Sequence, residues 1–256
     1  MVGPASWTAD DRRLLGKMLL WSGALIALLT ALQEWPLLAA APKVLLHPSP
    51  WRAVYLAPQA LSITLTIGAA LGLVLTVGGR RISSRLVLAV CVLACAASIA
   101  SFVNIGWIVP ASKQAYRVLM SGGPSGAPEI QEMTFGELTG KIHSLTADPA
   151  LAHNGFSSAL IFNYHMRWAL AASPLVYALL VLSLGSLMRR RWLLAVITCV
   201  SFFGYFALLN LLLPWNSGLP PAAAAWSSNA CLLGVAATAA AGLIRMNRRG
   251  ARAVAG

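Results

Sequence analysis

Charged residues are scarce in this chain, and their scarcity excludes most classes of soluble protein. Only 10% of the 256 residues are Asp, Glu, Lys or Arg, whereas a soluble domain carries about 25%. The hydrophobic fraction is 58% and the mean hydropathy is +0.73. So few polar side chains cannot cover a globule in water. The composition therefore excludes an ordinary cytosolic enzyme, a disordered protein and a disulfide scaffold, and it predicts an integral membrane protein.

Acidic residues are scarcer still, with 7 Asp and Glu against 19 Lys and Arg, for a net charge of +12. In a soluble protein this balance would indicate a nucleic-acid partner. Here the basic residues form short clusters between long apolar runs, which is typical of the cytoplasmic loops of membrane proteins. We therefore predict no nucleic-acid partner.

The chain also lacks the motifs of the common catalytic, cofactor and metal sites. Its four cysteines lie inside apolar runs and form no CxxC pair. The pair Gly16-Lys17 lacks the earlier glycine of a phosphate-binding loop and is followed by Met18, so ATP hydrolysis is expected in a separate chain. His143, His153 and His165 have no compact metal-ligand spacing. We predict no catalytic residue, no cofactor and no metal site here.

Apolar runs account for six membrane-spanning helices, since about 20 residues cross the hydrocarbon core. They cover residues 18–41, 53–79, 86–112 and 168–188, and a run over 192–244 that the Pro/Gly-rich stretch 214–221 divides in two. The predicted fold is an all-α integral membrane protein with two inverted three-helix halves. The predicted domains are 1–112, a small extracytoplasmic segment over 113–161, and 162–256.

The distribution of basic residues predicts the orientation. Thirteen of the 19 lie at the two termini, between the second and third spans, or between the fourth and fifth. Because cytoplasmic segments are enriched in Lys and Arg, both termini are predicted to be cytoplasmic. No ionisable residue lies at mid-membrane depth, which argues against an ion-coupled pump working alone.

The segment over 113–161 is too short for a β-sandwich, which needs about 100 residues. Thr134 and Glu137 have the spacing of a capping box, which predicts a short helix ending near Leu145.

Two groups of polar residues have competing interpretations. The first group lies near the outer headgroup level and either anchors the helices by snorkelling or holds an anionic lipid headgroup. It comprises Arg52, Lys113, Arg117 and Arg167. The second group lies in the first basic inner loop and either sets topology alone or docks a cytoplasmic partner. It comprises Arg80, Arg81, Ser83, Ser84 and Arg85.

Several short motifs, in this order, resemble the LptF/LptG (YjgP/YjgQ) permease family. In the first half they are Tyr55-Leu-Ala-Pro58-Gln59-Ala60 and Asn104-x-x-Trp107-Ile-Val-Pro110-Ala-Ser-Lys113. In the second half they are Met133-Thr134-Phe-Gly-Glu137-Leu138, Tyr164-His165-Met-Arg167-Trp-Ala-Leu-x-x-x-Pro174, Gly218-Leu219-Pro220-Pro221 and Trp226-x-x-Asn229.

The resemblance implies a permease subunit of the ABC exporter that extracts lipopolysaccharide from the bacterial inner membrane. Its partners would be the lipid, a second permease subunit and a cytoplasmic ATPase dimer. The first polar group would meet the lipid headgroup and the second would face the ATPase. This chain departs from the family in two respects. It has no room for the β-jellyroll that members carry between the third and fourth spans, and its loop between the second and third spans is short and lacks an acidic residue.

The sequence leaves open two alternatives to a permease. One is a non-transporting scaffold or lipid-binding subunit derived from the same fold, which the short inner loop favours. The other is a membrane enzyme at the outer face, with Glu129, Glu132, Glu137 or His165 as general acid or base. No spacing among these four residues marks a catalytic site.

Overall fold

The computed structural model describes residues 8–44, 51–77, 83–121, 129–148, 151, 154–188, 190–213 and 217–255. In this part of the chain all regular secondary structure is helical, which confirms the all-α prediction. The α-helices are α1 (Ala9–Val44), α2 (Trp51–Val77), α3 (Ser84–Val103), α4 (Val109–Ser121), α5 (Phe135–Thr146), α6 (Gly155–Leu187), α7 (Arg191–Leu211) and α8 (Pro221–Ala255). A π-helical turn, Asn104–Ile108, joins α3 to α4 without a break.

Six helices are long and apolar enough to cross a membrane, as predicted. They are referred to here as the first to sixth spans: Ala9–Gln33, Ala57–Val77, Ser84–Val118, Gly155–Leu187, Arg191–Leu211 and Pro221–Met246. The fourth span begins well before the predicted boundary near Trp168. Asn154 caps this helix by accepting a hydrogen bond from the amide of Ser157 at 2.7 Å. The first turns of α6 are mixed in polarity, so a search for apolar runs does not detect them.

The second and fourth spans form the centre of the bundle. Within their most apolar windows 61% and 56% of residues are buried, against 6% in the first span. The first span packs on the second, and the third and sixth spans pack on the fourth. The core includes Val74 of α2, Leu180 and Val181 of α6 and Leu194 of α7. The other four spans therefore present most of their apolar side chains outward, as helices facing lipid do.

Two glycines of α2 bring its backbone against α1. A Cβ at Gly72 would lie 2.7 Å from both the N and the Cα atoms of Ser22, and one at Gly68 would lie 3.0 Å from the backbone N of Ile26. Small residues four apart allow such close helix crossings in membranes. The hydroxyls of Thr30 and Thr64 hydrogen-bond across the same interface at 2.8 Å.

Asparagines of the quoted motifs tie neighbouring spans together. Asn104 Nδ2 donates to the carbonyl of Pro58 at 2.7 Å and to Ser62 Oγ at 2.8 Å. In the second half, Asn229 Nδ2 donates to the carbonyl of Ala169 at 2.7 Å. Both asparagines are buried. Motif residues that lie far apart in the chain therefore meet as hydrogen-bond partners between helices.

Candidate functional site

Three of the four predicted headgroup cations converge on one short turn, Ile130–Met133, at the end of the bundle that carries α5. Lys113 Nζ donates to Gln131 Oε1 at 2.6 Å. Arg117 Nε forms an ion pair with Glu132 Oε2 at 3.3 Å. The fourth cation, Arg52, lies in α2, but its side chain is outside the described residues. Three of the four predicted headgroup cations therefore bind a segment of the protein itself, and their side chains lie close together.

Arg167 is the buried member of this group, with 5% of its surface exposed. Its guanidinium donates to the carbonyl of Met133 and, at 2.9 Å, to the carbonyl of Ile130. The guanidinium carbon also lies 5.9 Å from the centroid of the Phe135 ring, within cation–π range. A planar fork of donors suits two neighbouring carbonyls. Arg167 thus holds the turn that leads into α5.

The helix α5 starts at the capping box predicted from the sequence. Thr134 Oγ1 accepts from the amide of Glu137 at 3.4 Å, and the amide of Thr134 donates to Glu137 Oε2 at 2.7 Å. The preceding turn has a similar reciprocal cap, in which the amide of Glu129 donates to Glu132 Oε2 at 3.1 Å. Leu138 of α5 is fully buried. Both caps and this apolar contact hold α5 against the ends of the spans.

Aromatic rings surround the junction between α5 and the spans. The Phe135 ring stacks on Phe102 with centroids 4.9 Å apart and lies 5.5 Å from the ring of Trp168. A Cβ at Gly106 would meet the Phe135 ring at 2.3 Å, so the absence of a side chain in the π-helical turn makes room for it. This cluster could not be predicted from the sequence, because its members are distant along the chain.

Two of the four residues considered for an outer-face enzyme have structural roles at this junction. Glu132 pairs with Arg117, while Glu137 caps α5. No group of three His, Cys, Asp or Glu side chains that could hold a metal ion occurs in the described ranges.

At the opposite end of the bundle, Ser83 joins two helices. Its Oγ accepts from the amide of Leu86 at 3.2 Å, which caps α3, and donates to Asp11 Oδ1 at 2.9 Å. Asp11 also accepts from Thr8 Oγ1 at 2.8 Å. Thr8 and Asp11 have the spacing of a helix cap in the sequence, but the contact between Asp11 and Ser83 arises only when the helices pack.

The remaining docking candidates fall into two sets. Ser84 is exposed in the first turn of α3 and Arg85 is half-buried. Arg80 and Arg81 lie outside the described residues. The loop itself contains no acidic residue, but the structure places the carboxylate of Asp11 directly beside its end.

Six spans, two of which form the centre of the bundle, define a polytopic membrane protein. Residues 121–242, slightly less than half of the chain, match the family model for the lipopolysaccharide export system permease LptF/LptG. This match agrees with the resemblance predicted from the sequence, and over these residues the chain is similar to the LptF/LptG permeases. Comparison with curated proteins and with solved structures gives no significant match.

The family is one of permease components rather than enzymes, and it indicates a multi-pass protein of the inner membrane. The matched residues include the motifs of the second half, from Met133 to Asn229. The first-half motifs lie outside the match, so their resemblance remains a prediction. Between the third and fourth spans the described residues hold one short turn and α5, without a strand. The described part of this interval fits the predicted short relative without a periplasmic jellyroll.

Proposed function

We propose that this protein is a permease subunit of an ABC-type exporter that moves lipopolysaccharide or another anionic lipid out of the inner membrane. The family match over residues 121–242 carries the proposal, and the six spans agree with it. A second permease subunit would complete the lipid path, and a separate ATPase dimer would supply the energy. Both termini would be cytoplasmic, as the basic loops predict.

The proposed headgroup surface is formed by the half-buried cations Lys113 and Arg117 near the end of the third span, with Arg52 at the start of α2. Cations at this level attract phosphate and carboxylate groups of anionic lipids. The guanidinium of Arg167 is already bound to two carbonyls. Its part in the surface is to position the turn to which Lys113 and Arg117 bind.

The proposed ATPase-docking surface is the connection between α2 and α3, with Arg80, Arg81, Ser83, Ser84 and Arg85. The bond from Ser83 to Asp11 supports this role. Because Ser83 caps α3 while Asp11 belongs to α1, a force applied to the connection would reach both helices.

The second candidate function is that of a scaffold or lipid-binding subunit that works without an ATPase. Val77 ends α2 and Ser84 begins α3, so only six residues connect them. That length leaves no room for a separate coupling helix, which is the observation in favour of this candidate.

Affinity purification from native membranes in mild detergent, followed by mass spectrometry, separates the two candidates. We expect an ABC ATPase in stoichiometric amount with the native chain. Changing Arg80, Arg81 and Arg85 to Gln should abolish ATPase recovery. Changing Arg190 and Arg191 to Gln, in the other short loop at the same end, is the matched control and should not. A native chain that is purified repeatedly without an ATPase would refute the exporter.

The lipid surface needs a separate measurement. We expect the pair Lys113→Gln and Arg117→Gln to reduce the anionic lipid that co-purifies with the chain, measured by lipid mass spectrometry. Lys141→Gln removes an exposed charge from α5 and should leave lipid recovery unchanged. Equal lipid recovery from both variants would contradict the proposed headgroup surface but would leave the ATPase result standing.

A further inference from the structure

A small cavity lies near mid-depth where the second, fourth and fifth spans meet. Its lining includes Ser62 and Thr66 of α2, Ser173 and Tyr177 of α6, and Tyr205 of α7. The cavity measures about 10 Å³, on a scale where one water molecule needs roughly 10–15 Å³. Five hydroxyl-bearing side chains around so small a space are unusual among spans composed mainly of apolar residues.

The serine and threonine hydroxyls around the cavity already donate hydrogen bonds within the protein. Ser62 Oγ donates to the carbonyl of Pro58 at 3.1 Å, and Ser173 Oγ donates to the carbonyl of Leu170 at 2.7 Å. Thr66 Oγ1 lies 2.9 Å from Ser173 Oγ. Because the Ser173 proton is in use, Thr66 must be the donor in that pair. The lone pairs of Thr66 therefore remain available as acceptors.

The two tyrosines are in the opposite situation. Tyr177 and Tyr205 are 1% and 3% exposed, and their ring centroids are 6.4 Å apart. Within the described part of the chain neither hydroxyl has a hydrogen-bond partner. A buried hydroxyl without a partner is costly, and such groups are almost always satisfied by protein or by ordered water.

We propose that this cavity is a binding site for a single ordered water molecule shared by Tyr177 and Tyr205. The water accepts a hydrogen bond from each tyrosine hydroxyl and donates one to Thr66 Oγ1. This arrangement satisfies both buried hydroxyls and uses the acceptor that the serine and threonine network leaves open. The water thereby links Thr66 of α2, Tyr177 of α6 and Tyr205 of α7.

Conservative Tyr→Phe variants distinguish a water-filled cavity from a dry one, because the thermal midpoint is expected to change in opposite directions. If a water molecule occupies the cavity, Tyr177→Phe and Tyr205→Phe each remove a hydrogen bond to it. Each should then lower the thermal midpoint of the purified protein in detergent by about 2–4 °C. The double variant should lose less than the sum, because both hydroxyls hold the same molecule. Tyr164→Phe, outside the cavity, is the control for the chemical change. In a dry cavity each variant would remove an unpaired buried hydroxyl, and the midpoint would rise or stay unchanged.

Radiolytic labelling in ¹⁸O-water tests the native chain without any substitution. A resident water generates hydroxyl radicals in place, so we expect Tyr177 and Tyr205 to be labelled although both are buried. Loss of stability in the single variants, a sub-additive double variant and labelling of the native tyrosines support the site. Unlabelled tyrosines, fully additive losses, or single variants as stable as the native chain overturn it.

Discussion

Gly72 of α2 lies directly against the backbone of α1, and we expect its replacement by alanine to push the two helices apart. The new Cβ would lie 2.7 Å from the N and Cα atoms of Ser22. These are backbone atoms, so no change of rotamer relieves the overlap. Ordinary van der Waals contact begins near 3.4 Å, so α1 and α2 must separate locally by about 0.7 Å.

The cost follows from two opposing effects. Forcing an extra methyl group into a packed interface costs about 1–3 kcal/mol, while alanine favours the helix by about 1 kcal/mol over glycine. The net expectation for Gly72→Ala is a loss of about 1 kcal/mol, which lowers the thermal midpoint by about 2–4 °C for a chain of this size. Gly72→Val should cost more, because its branched side chain enlarges the overlap.

The assay is thermal unfolding of the purified protein in detergent, with Gly204→Ala as the matched control. Gly204 lies in α7, and a Cβ there meets nothing within 4 Å. Only the helix-propensity effect then acts, so the control should be slightly stabilised. The opposite signs of the two substitutions are the test. If Gly72→Ala is as stable as Gly204→Ala, the close approach of α1 and α2 is refuted.

Three further substitutions test other contacts. Arg167→Gln should release the turn before α5 at a cost of about 3 kcal/mol, seen as faster hydrogen exchange of the α5 amides, whereas the exposed control Lys141→Gln should leave that exchange unchanged. Asn104→Ala should cost about 2 kcal/mol in thermal unfolding because it breaks two bonds between the second and third spans, while the exposed Asn210→Ala should be nearly neutral. Ser83→Ala should cost about 1 kcal/mol through loss of the α3 cap; equal stability to the native chain would show that this cap is dispensable.

Much of the fold could be predicted because its determinants are local. The number of spans follows from the length of apolar runs, and the division of the last run follows from its Pro/Gly-rich centre. The start of α5 follows from one hydroxyl and one carboxylate three residues apart, Thr134 and Glu137. Each of these patterns is contained within a few consecutive turns of chain, so no knowledge of distant neighbours is needed.

The candidate site was predicted less completely. Charge and position along the chain grouped Lys113, Arg117 and Arg167, and the structure does bring all three to one turn. The sequence could not show that Arg167 is buried with its donors on backbone carbonyls. Nor could it show that Asp11 lies beside the loop that contains no acid. In each case the partner is distant in sequence and is met only after the helices pack.

The sequence by itself therefore determined a six-span helical membrane protein that resembles the LptF/LptG permeases, because apolar length and short motifs are properties of consecutive residues. Only the tertiary structure decided which spans are central, which cations are buried and which hydroxyls are left without partners. The contacts of Gly72, Asn104 and Tyr177 cannot be predicted from their positions in apolar runs. Each acts through contacts with other helices, and helix packing depends on the three-dimensional arrangement of all six spans.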